Sequence, residues 1–182
     1  MELFDVYTID RLPTGRTLVR GQPQPQGDYR MVVHVCIFNS RGMMLIQQRA
    51  NNNHDFSGMW DVSVGGGAAA GDSSRSAAHR ELLEELGLDV SFEELRPRLT
   101  INFDGGFDDV YIIEREVQPE EIRLQQEEVQ AARWATREEI LQMIDEGTFI
   151  PYHKGLIELL FALRHEPGAW FRNADGAING KR

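Results

Sequence analysis

The stretch RELLEELG, residues 80–87, decides how this chain is interpreted, because it gathers three acidic side chains on one short segment. Glu81, Glu84 and Glu85 share one face of a helix, since residues three and four apart are neighbours on its surface. Like charges at this spacing cost a helix only about 0.2–0.5 kcal/mol per pair. The stretch alone therefore leaves two alternatives, a solvated acidic surface and a cation site.

A helix that carries this acidic face is expected to begin near residues 72–74 and to end at Gly87. Asp, Ser and Ser supply a side-chain N-cap, and Gly87 suits a left-handed C-terminal cap. Arg80 borders the acidic face and can pair with Glu84, one turn further on. The apolar stripe is expected to face the core with Ala78, Leu82, Leu83 and Leu86, and with His79 among them.

A glycine-rich segment, VGGGAAAGD at residues 64–72, leads into this helix. We interpret it as the end of a strand followed by a loop, because glycines let a backbone turn sharply or approach a ligand closely. An isolated glycine triplet would be a plain turn. Here a strand end, a glycine loop and three carboxylates can together supply an all-oxygen pocket for Mg²⁺ or Mn²⁺.

The composition of the 182-residue chain is that of one globular domain, with 41% apolar and 26% charged residues. The net charge of −10 argues against a nucleic-acid backbone as partner, although bound cations can hold the phosphates of a small molecule. No apolar run is long enough for a membrane span, so no membrane partner is expected. The start, MELFDVYTIDRL, lacks the basic and apolar segments of an export signal, which predicts a cytoplasmic location.

Strands and helices are both expected along the chain, which predicts an α+β fold. Strands are expected at residues 31–38, 43–49, 61–64, 109–117 and 132–136, and later helices after Thr136 and at residues 155–163. Residues 1–30 contain a strand, LFDVYTI, and a Gly/Pro/Gln-rich stretch, and are interpreted as an extension packed on the domain. The domain itself is expected at residues 31–165, followed by a polar tail at residues 166–182.

Taken in register, these residues resemble the signature of the Nudix hydrolase family. That signature is Gly, five residues, Glu, seven residues, then Arg-Glu-U-x-Glu-Glu-x-Gly-U, where U is a bulky aliphatic residue. The matching positions are Gly66, Arg80, Glu81, Leu82, Glu84, Glu85, Gly87 and Leu88. Asp72 departs from it, standing where the family usually has Glu. The resemblance implies the family fold, a mixed β-sheet sandwiched between α-helices.

The resemblance also implies an activity, the metal-dependent cleavage of the diphosphate bond of a nucleoside diphosphate linked to another moiety. The implied ligands of Mg²⁺ or Mn²⁺ are Glu81, Glu84, Glu85 and the carbonyl of Gly65, and Arg80 would orient the glutamates by ion pairing. Glu128, in EEVQAARW, would be a further ligand or a base; its alternative is a solvated loop carboxylate. The glutamate that takes the proton of the attacking water varies within the family. Many members form homodimers through their N-terminal strands, so the resemblance and the N-terminal extension of this chain imply a possible homodimer.

Two other functions are weighed against hydrolysis. The N-terminal extension and the pattern LIQQR before Trp60 also resemble the branch that contains isopentenyl diphosphate isomerase, which uses a Cys as acid/base and a His as metal ligand. When the two sequences are aligned from Trp60, Gly65 stands at the position of that Cys and Gly67 at the position of that His. Neither glycine has a side chain for this chemistry, so isomerase activity is expected to be absent. A catalytically silent nucleotide-binding module would be expected to lose the metal-binding glutamates, and this chain keeps them.

Several other chemically capable side chains receive structural interpretations. His34 and His79 are interpreted as satisfied core histidines, and Trp60 and Trp134 as packing residues. The turn FDGGFDD, residues 103–109, is interpreted as a hairpin, with substrate contact by Asp108 or Asp109 as the lesser alternative.

Overall fold

Strands and helices are mixed along the chain in an α+β arrangement, in a computed structural model that describes residues 2–52, 55–165 and 168–170. The strands are β1 (Leu3–Tyr7), β2 (Pro13–Val19), β3 (Arg30–Phe38), β4 (Met44–Arg49), β5 (Trp60–Asp61), β6 (Val64–Gly67), β7 (Leu99–Phe103), β8 (Gly106–Glu114) and β9 (Val129–Ala135). The helices are α1 (Ser74–Leu86), α2 (Arg137–Asp145) and α3 (Lys154–Leu163). Apart from 168–170, the predicted tail at 166–182 lies outside the described residues.

A mixed sheet is built around β3. This strand runs parallel to β8 along its whole length and antiparallel to two strands on its other side. β6 pairs with residues 32–35 and β4 pairs with residues 37–38, so the two partners divide one edge of β3 between them. β5 and β9 extend the sheet from β4, and β7 extends it from β8 as the predicted hairpin.

The sheet is covered by helices on both faces, as predicted. Alternate side chains of β3 point to opposite faces, because a strand has a period of two residues. Val33, Val35 and Ile37 join the core cluster that includes α1, whereas Cys36 and Phe38 join the cluster that includes α2 and α3. These two apolar layers fix the orientation of α1 relative to the glycine strand β6.

The glycine triplet is part of a strand, so the predicted glycine loop is wrong. Residues 65–67 pair with His34, Val33 and Val32 of β3. The predicted strand at 61–64 is correspondingly replaced by two short strands, β5 and β6. A strand tolerates glycine where another group must come close to its backbone, and that condition is met here.

The predicted ends of α1 are confirmed. Ser73 is the N-cap, and its hydroxyl accepts from the backbone N–H of Ser76 at 3.1 Å. Gly87 adopts φ 70°, the left-handed conformation that glycine reaches without steric cost. Asp72, included in the predicted cap, lies one residue before it and has another role described below.

The predicted core stripe of α1 is wrong at Leu83 and at His79. Leu83 is 45% exposed, and His79 points outward, with Nε2 2.9 Å from the Asp89 carboxylate. Ala77, on the acidic side of the helix, is buried instead. The helix is therefore rotated so that part of its acidic face lies against the sheet.

The N-terminal segment forms a hairpin of β1 and β2 that packs on the domain. Tyr7 joins the core cluster and exchanges backbone hydrogen bonds with Tyr29, and Leu3 accepts from the N–H of Ala70 at 2.8 Å. β2 was not predicted, because its sequence PTGRTLV is mostly exposed and has no alternation of apolar residues.

A buried ion pair ties this hairpin to the sheet. Arg11, in the turn between β1 and β2, donates to both carboxylate oxygens of Asp109 in β8, at 3.0 and 2.7 Å. The Asp109 side chain is 2% exposed and also accepts from Thr100 at 2.6 Å. Burial alone would raise the pKa of Asp109, but the hydrogen bonds from Arg11 and Thr100 hold it below the ordinary value.

We expect Arg11→Met to lower the free energy of unfolding by about 1–3 kcal/mol, because it leaves a buried carboxylate without its cation. The expected loss of unfolding free energy is smaller than for a fully buried ion pair, because the Arg11 side chain is 34% exposed. A carboxyl whose pKa is lowered by folding stabilises the fold above its unfolded pKa, so the difference should vanish as pH falls below 3.8. Urea unfolding at several pH values measures this, with Arg137→Met as control; a difference that persists at low pH would contradict it.

Candidate active site

Two of the three clustered glutamates are buried, which excludes the solvated-surface alternative for them. Glu81 is 6% exposed and Glu85 is 3% exposed, whereas the Glu84 side chain is half exposed. The rotation of α1 produces this difference, because it turns the side that bears Ala77, Glu81 and Glu85 toward the sheet. Buried carboxylates are costly unless a cation or hydrogen-bond donors compensate for them.

Arg80 provides part of that compensation and joins three carboxylates. Its Nη1 donates to Glu81 at 2.9 Å and to Glu84 at 3.1 Å. Its Nη2 donates to the carboxylate of Asp72 and to the carbonyl of Gly67, both at 3.0 Å. The predicted pair with Glu84 is present, and a single guanidinium fixes the glutamates relative to the glycine strand.

Asp72, the position that departs from the family signature, anchors this arginine. One of its carboxylate oxygens also accepts from the N–H of Ala69 at 3.0 Å, and the other accepts from the Ser76 hydroxyl at 3.1 Å. The shorter carboxylate therefore holds Arg80 from the junction between β6 and α1 and does not serve as the helix cap.

We expect Arg80→Met to weaken the binding of Mn²⁺ about tenfold, the usual effect of removing a residue that orients metal ligands. Calorimetric titration of Mn²⁺ into the protein measures this without requiring turnover. Arg75→Met, on the same helix, removes an arginine that donates to the carbonyl of Glu93 and is the matched control. Equal affinities for Mn²⁺ in the Arg80 variant and in the wild type would contradict an orienting role.

Glu85 lies deeper than the other glutamates and contacts Gln47 of β4. The Gln47 Nε2 donates to Glu85 at 2.8 Å, while the Oε1 of the same amide is buried without a hydrogen-bond partner among the described residues. Burial raises the pKa of Glu85 well above its usual range, and the charges of Glu81 and Glu128 raise it further. Burial also raises the pKa of Glu81, against the opposing effect of Arg80.

A cleft of about 330 Å³ opens over these residues. It is lined by Glu2, Arg20, Arg49, Gly65, Gly66, Ala69, Arg80, Glu81, Glu84 and Glu128. Five of the six predicted site residues therefore share one cleft, and the sixth, Glu85, is buried one helical turn from Glu81 and does not line it. Glu128 is exposed at its mouth, on the turn before β9, so both of its predicted roles stay open.

Gly66 is the glycine that this site requires. A Cβ on Gly66 would lie 2.2 Å from the Glu81 carboxyl carbon, whereas a Cβ on Gly67 would meet nothing within 4 Å. The absence of a side chain at Gly66 thus makes room for the buried carboxylate of Glu81. A Cβ on Gly65 would lie 2.6 Å from the ring of His34.

The donor chemistry of the cleft fits a divalent cation, although the side chains are turned toward other partners. Within the described part of the chain, no three acidic, histidine or cysteine side chains stand together as a ready ligand set. Glu81 and Glu84 accept hydrogen bonds from Arg80, and Glu85 accepts one from Gln47. The buried carboxylates with raised pKa values, and the unpaired amide oxygen of Gln47, nevertheless have the oxygen chemistry that Mg²⁺ and Mn²⁺ prefer.

A second cleft, of about 510 Å³, was not predicted from the sequence. His34 lies on its wall, with Nδ1 2.8 Å from Asp108 and Nε2 3.3 Å from the Tyr152 hydroxyl. Tyr152 in turn donates to the buried Asp61 at 2.8 Å. Burial would lower the pKa of His34, but Asp108 and Asp61 raise it above its ordinary value. The interpretation of His34 as a satisfied histidine is confirmed, and its place beside a cleft is new.

The remaining structural interpretations have mixed outcomes. Trp60 and Trp134 are partly buried and pack against the two core clusters, as predicted. Asp109 is held by Arg11 and does not reach either cleft, so its proposed substrate contact is wrong.

Comparison with known proteins shows that the chain belongs to the Nudix family, whose domain matches residues 28–158. An uncharacterized Nudix hydrolase of Listeria monocytogenes is 39% identical over 165 residues, covering 91% of this chain and 96% of that protein. Nudix hydrolase 3 of Arabidopsis thaliana is 34% identical over 83% of this chain and 22% of its own length. A crystal structure of a Deinococcus radiodurans protein superposes with a TM-score of 0.70, covering 87% of this chain and 97% of that one; at 24% identity it shows the fold alone.

The similarity to isomerases is weaker than the similarity to hydrolases. The isopentenyl-diphosphate Delta-isomerase of Pectobacterium atrosepticum is 33% identical over 105 residues, covering 57% of this chain and 56% of that enzyme. The predicted family, the Nudix fold and the assignment as a hydrolase are confirmed. Family members generally use divalent cations and act on small-molecule substrates. None of the described helices has the length and apolar character needed to cross a membrane.

Proposed function

We propose that this hydrolase uses Mg²⁺ or Mn²⁺ to cleave the diphosphate bond of a nucleoside diphosphate linked to another moiety. The observation that carries the proposal is the pair of buried carboxylates, Glu81 and Glu85, the first of which lines a cleft together with Arg20 and Arg49. Acidic groups that need a cation thus lie beside basic groups that suit phosphate oxygens.

The residues proposed to hold the metal are Glu81, Glu84, Glu85 and Glu128, with the carbonyl of Gly65. A bound divalent cation supplies charge neutralisation for the diphosphate and lowers the pKa of a coordinated water. Arg80 keeps Glu81 and Glu84 in place through its paired donors.

The chain's own groups then bind the diphosphate and accept a proton. Arg20 and Arg49 line the same cleft and can donate to its non-bridging oxygens. Glu128 reaches solvent at the mouth, and burial raises the pKa of Glu85 well above its usual range. Both properties suit a general base, and the two glutamates are the candidates for that role.

The alternatives receive less support. Isomerase chemistry needs side chains where Gly65 and Gly67 have none, and His34 occupies the space into which a side chain at position 65 would project. A silent nucleotide-binding module has no use for costly buried carboxylates. The division into residues 1–30, 31–165 and 166–182, a homodimer and a cytoplasmic location stay predictions.

A substrate screen tests the proposal. Nucleoside diphosphate derivatives and isopentenyl diphosphate are incubated with Mg²⁺ or Mn²⁺, and products are followed by phosphorus and proton NMR. We expect metal-dependent hydrolysis of a nucleoside diphosphate derivative and no double-bond shift in isopentenyl diphosphate. Tight nucleotide binding without turnover would overturn the proposal in favour of the binding module.

A further inference from the structure

We propose that the second cleft binds an additional phosphate group, carried by the part of the substrate that lies beyond the scissile diphosphate. This inference rests on the proposed function, because the two clefts share part of their walls. Arg20, Arg49, Gly65 and Gly66 line both of them. The volume of about 510 Å³ falls within the range of small-molecule sites.

Arg30 carries the inference, because its charge contacts two aromatic rings and no carboxylate of the described residues. It lies at the start of β3 and lines the second cleft but not the acidic one. Its guanidinium carbon lies 5.9 Å from the ring centre of Phe4 and 6.0 Å from that of Phe103. Its Nε is buried without a hydrogen-bond partner, and no carboxylate oxygen of the described residues lies within 4.0 Å of the side chain's nitrogens. A partly buried cation in this state gains from an anionic ligand.

Arg49, at the end of β4, has a similar surplus of donors. Its Nε is also buried and unpaired among the described residues. Its nearest carboxylate contact, from Nη1 to Asp61, is 3.9 Å long and is too distant for a hydrogen bond. Asp61 accepts from the Tyr152 hydroxyl and from the backbone N–H of Val62 through Oδ1, so its other oxygen, Oδ2, faces Arg49 in a long ion pair.

Three carboxylates also line the cleft, and the one nearest this pair is Asp61, 3.9 Å from Arg49. Glu2 is bound to Arg20 at 2.7 Å, and Asp55 is exposed. Arg30 is therefore a cation of this cleft with no carboxylate oxygen of the described residues within 4.0 Å, and Arg49 has only a long contact to Asp61, so both retain donors for an anion. Arginine is suited to phosphate, because its planar fork can donate two parallel hydrogen bonds. The organic part of the substrate would contact the apolar wall formed by Phe4, Met31, Phe56 and Ile150.

The position of Arg30 distinguishes the proposed site for the additional phosphate from the site of the scissile diphosphate. Arg20 and Arg49 stand on the shared wall, where the proposed diphosphate would also lie. Arg30 does not line the acidic cleft, so a substrate whose only anionic group is that diphosphate would leave it unpaired. A substrate with a further phosphate would engage Arg30 and Arg49 together.

Calorimetric titration of inorganic phosphate into the full-length protein, without divalent metal, tests the inference independently of turnover. We expect measurable binding to the wild type and at least about tenfold weaker binding to a variant that combines Arg30→Met and Arg49→Met, because charge-assisted hydrogen bonds are lost. Arg137→Met, an exposed arginine paired with Glu138, is the matched control and should bind as the wild type does. Equal affinity in the double variant, or no binding to the wild type, would overturn the proposal.

Two further measurements keep the result interpretable. Thermal unfolding checks that loss of the Arg30 ring contacts leaves the fold intact; if it does not, Arg30→Lys, which keeps the charge but loses the planar fork, is titrated, with at least about a threefold loss expected. Ribose 5-phosphate then replaces inorganic phosphate. Tighter binding would assign the site to an organic phosphate, whereas equal or weaker binding would assign it to the free ion and overturn a substrate role. Failure of hydrolysis in the substrate screen would refute the proposed function without deciding these titrations.

Discussion

Glu85→Gln should lower kcat/KM by at least about a hundredfold, in the range found when a catalytic electrostatic group is removed. The same substitution should leave the metal-free protein as stable as the wild type, or more stable. Glu85 is buried against Gln47 with no cation among its described contacts, so the ionised side chain destabilises the fold. A neutral amide of the same shape removes that buried charge and can still accept from Gln47.

Steady-state kinetics with Mg²⁺ and thermal unfolding without it measure the two effects. Glu158→Gln, on the exposed side of α3, changes a helical glutamate in the same way and should alter neither quantity. Unchanged kcat/KM in Glu85→Gln would remove the assignment of this residue. A large fall in metal-free stability would show instead that the carboxylate is structural.

Gly66→Ala should reduce metal affinity and kcat/KM by up to about a hundredfold, the upper end of the effects of misplacing a ligand. The added methyl would lie 2.2 Å from the Glu81 carboxyl carbon, so that carboxylate must move. Because the displaced group is the end of a flexible side chain, stability should change little. The expected signature is a damaged site in a folded protein.

The adjacent glycine provides the control for this experiment. Gly67→Ala adds the same methyl in the same strand, where nothing lies within 4 Å, and should leave metal affinity within about twofold of the wild type. Calorimetric titration of Mn²⁺ into both variants gives the comparison. Equal effects of the two substitutions would show that strand flexibility, and not the position of Glu81, is what the glycines provide.

Features encoded by neighbouring residues could be predicted from the sequence. The ends of α1 depend on Ser73 and Gly87, whose capping chemistry is local. The glutamate spacing identified the family because it follows one helical face. The same helical pattern could not show which way the acidic face points. For that reason Leu83 was predicted in the core, and both a solvated surface and a cation site remained open for Glu81 and Glu85. Only the packing of α1 on the sheet decides this.

Features that depend on distant parts of the chain could not be predicted. Arg11 and Asp109 are separated by 98 positions, and neither residue signals the other. The second cleft joins Arg30, Arg49 and Tyr152 from three separate segments, which only the topology of β3 and β4 brings together. β2 has no apolar alternation, so it becomes recognisable as a strand only through its pairing with β1.

The hairpin of β1 and β2 has a consequence for how such an enzyme can change. It contributes Phe4 and flanking residues Glu2 and Arg20 to the second cleft, yet the glutamates proposed to hold the metal belong to α1 and to the turn before β9. Mutations in the hairpin itself, outside Arg20, would therefore alter which compounds are accepted while the residues proposed to hold the metal stay intact. Relatives whose sequences differ mainly at the N-terminus are therefore expected to differ in the substrates that they accept.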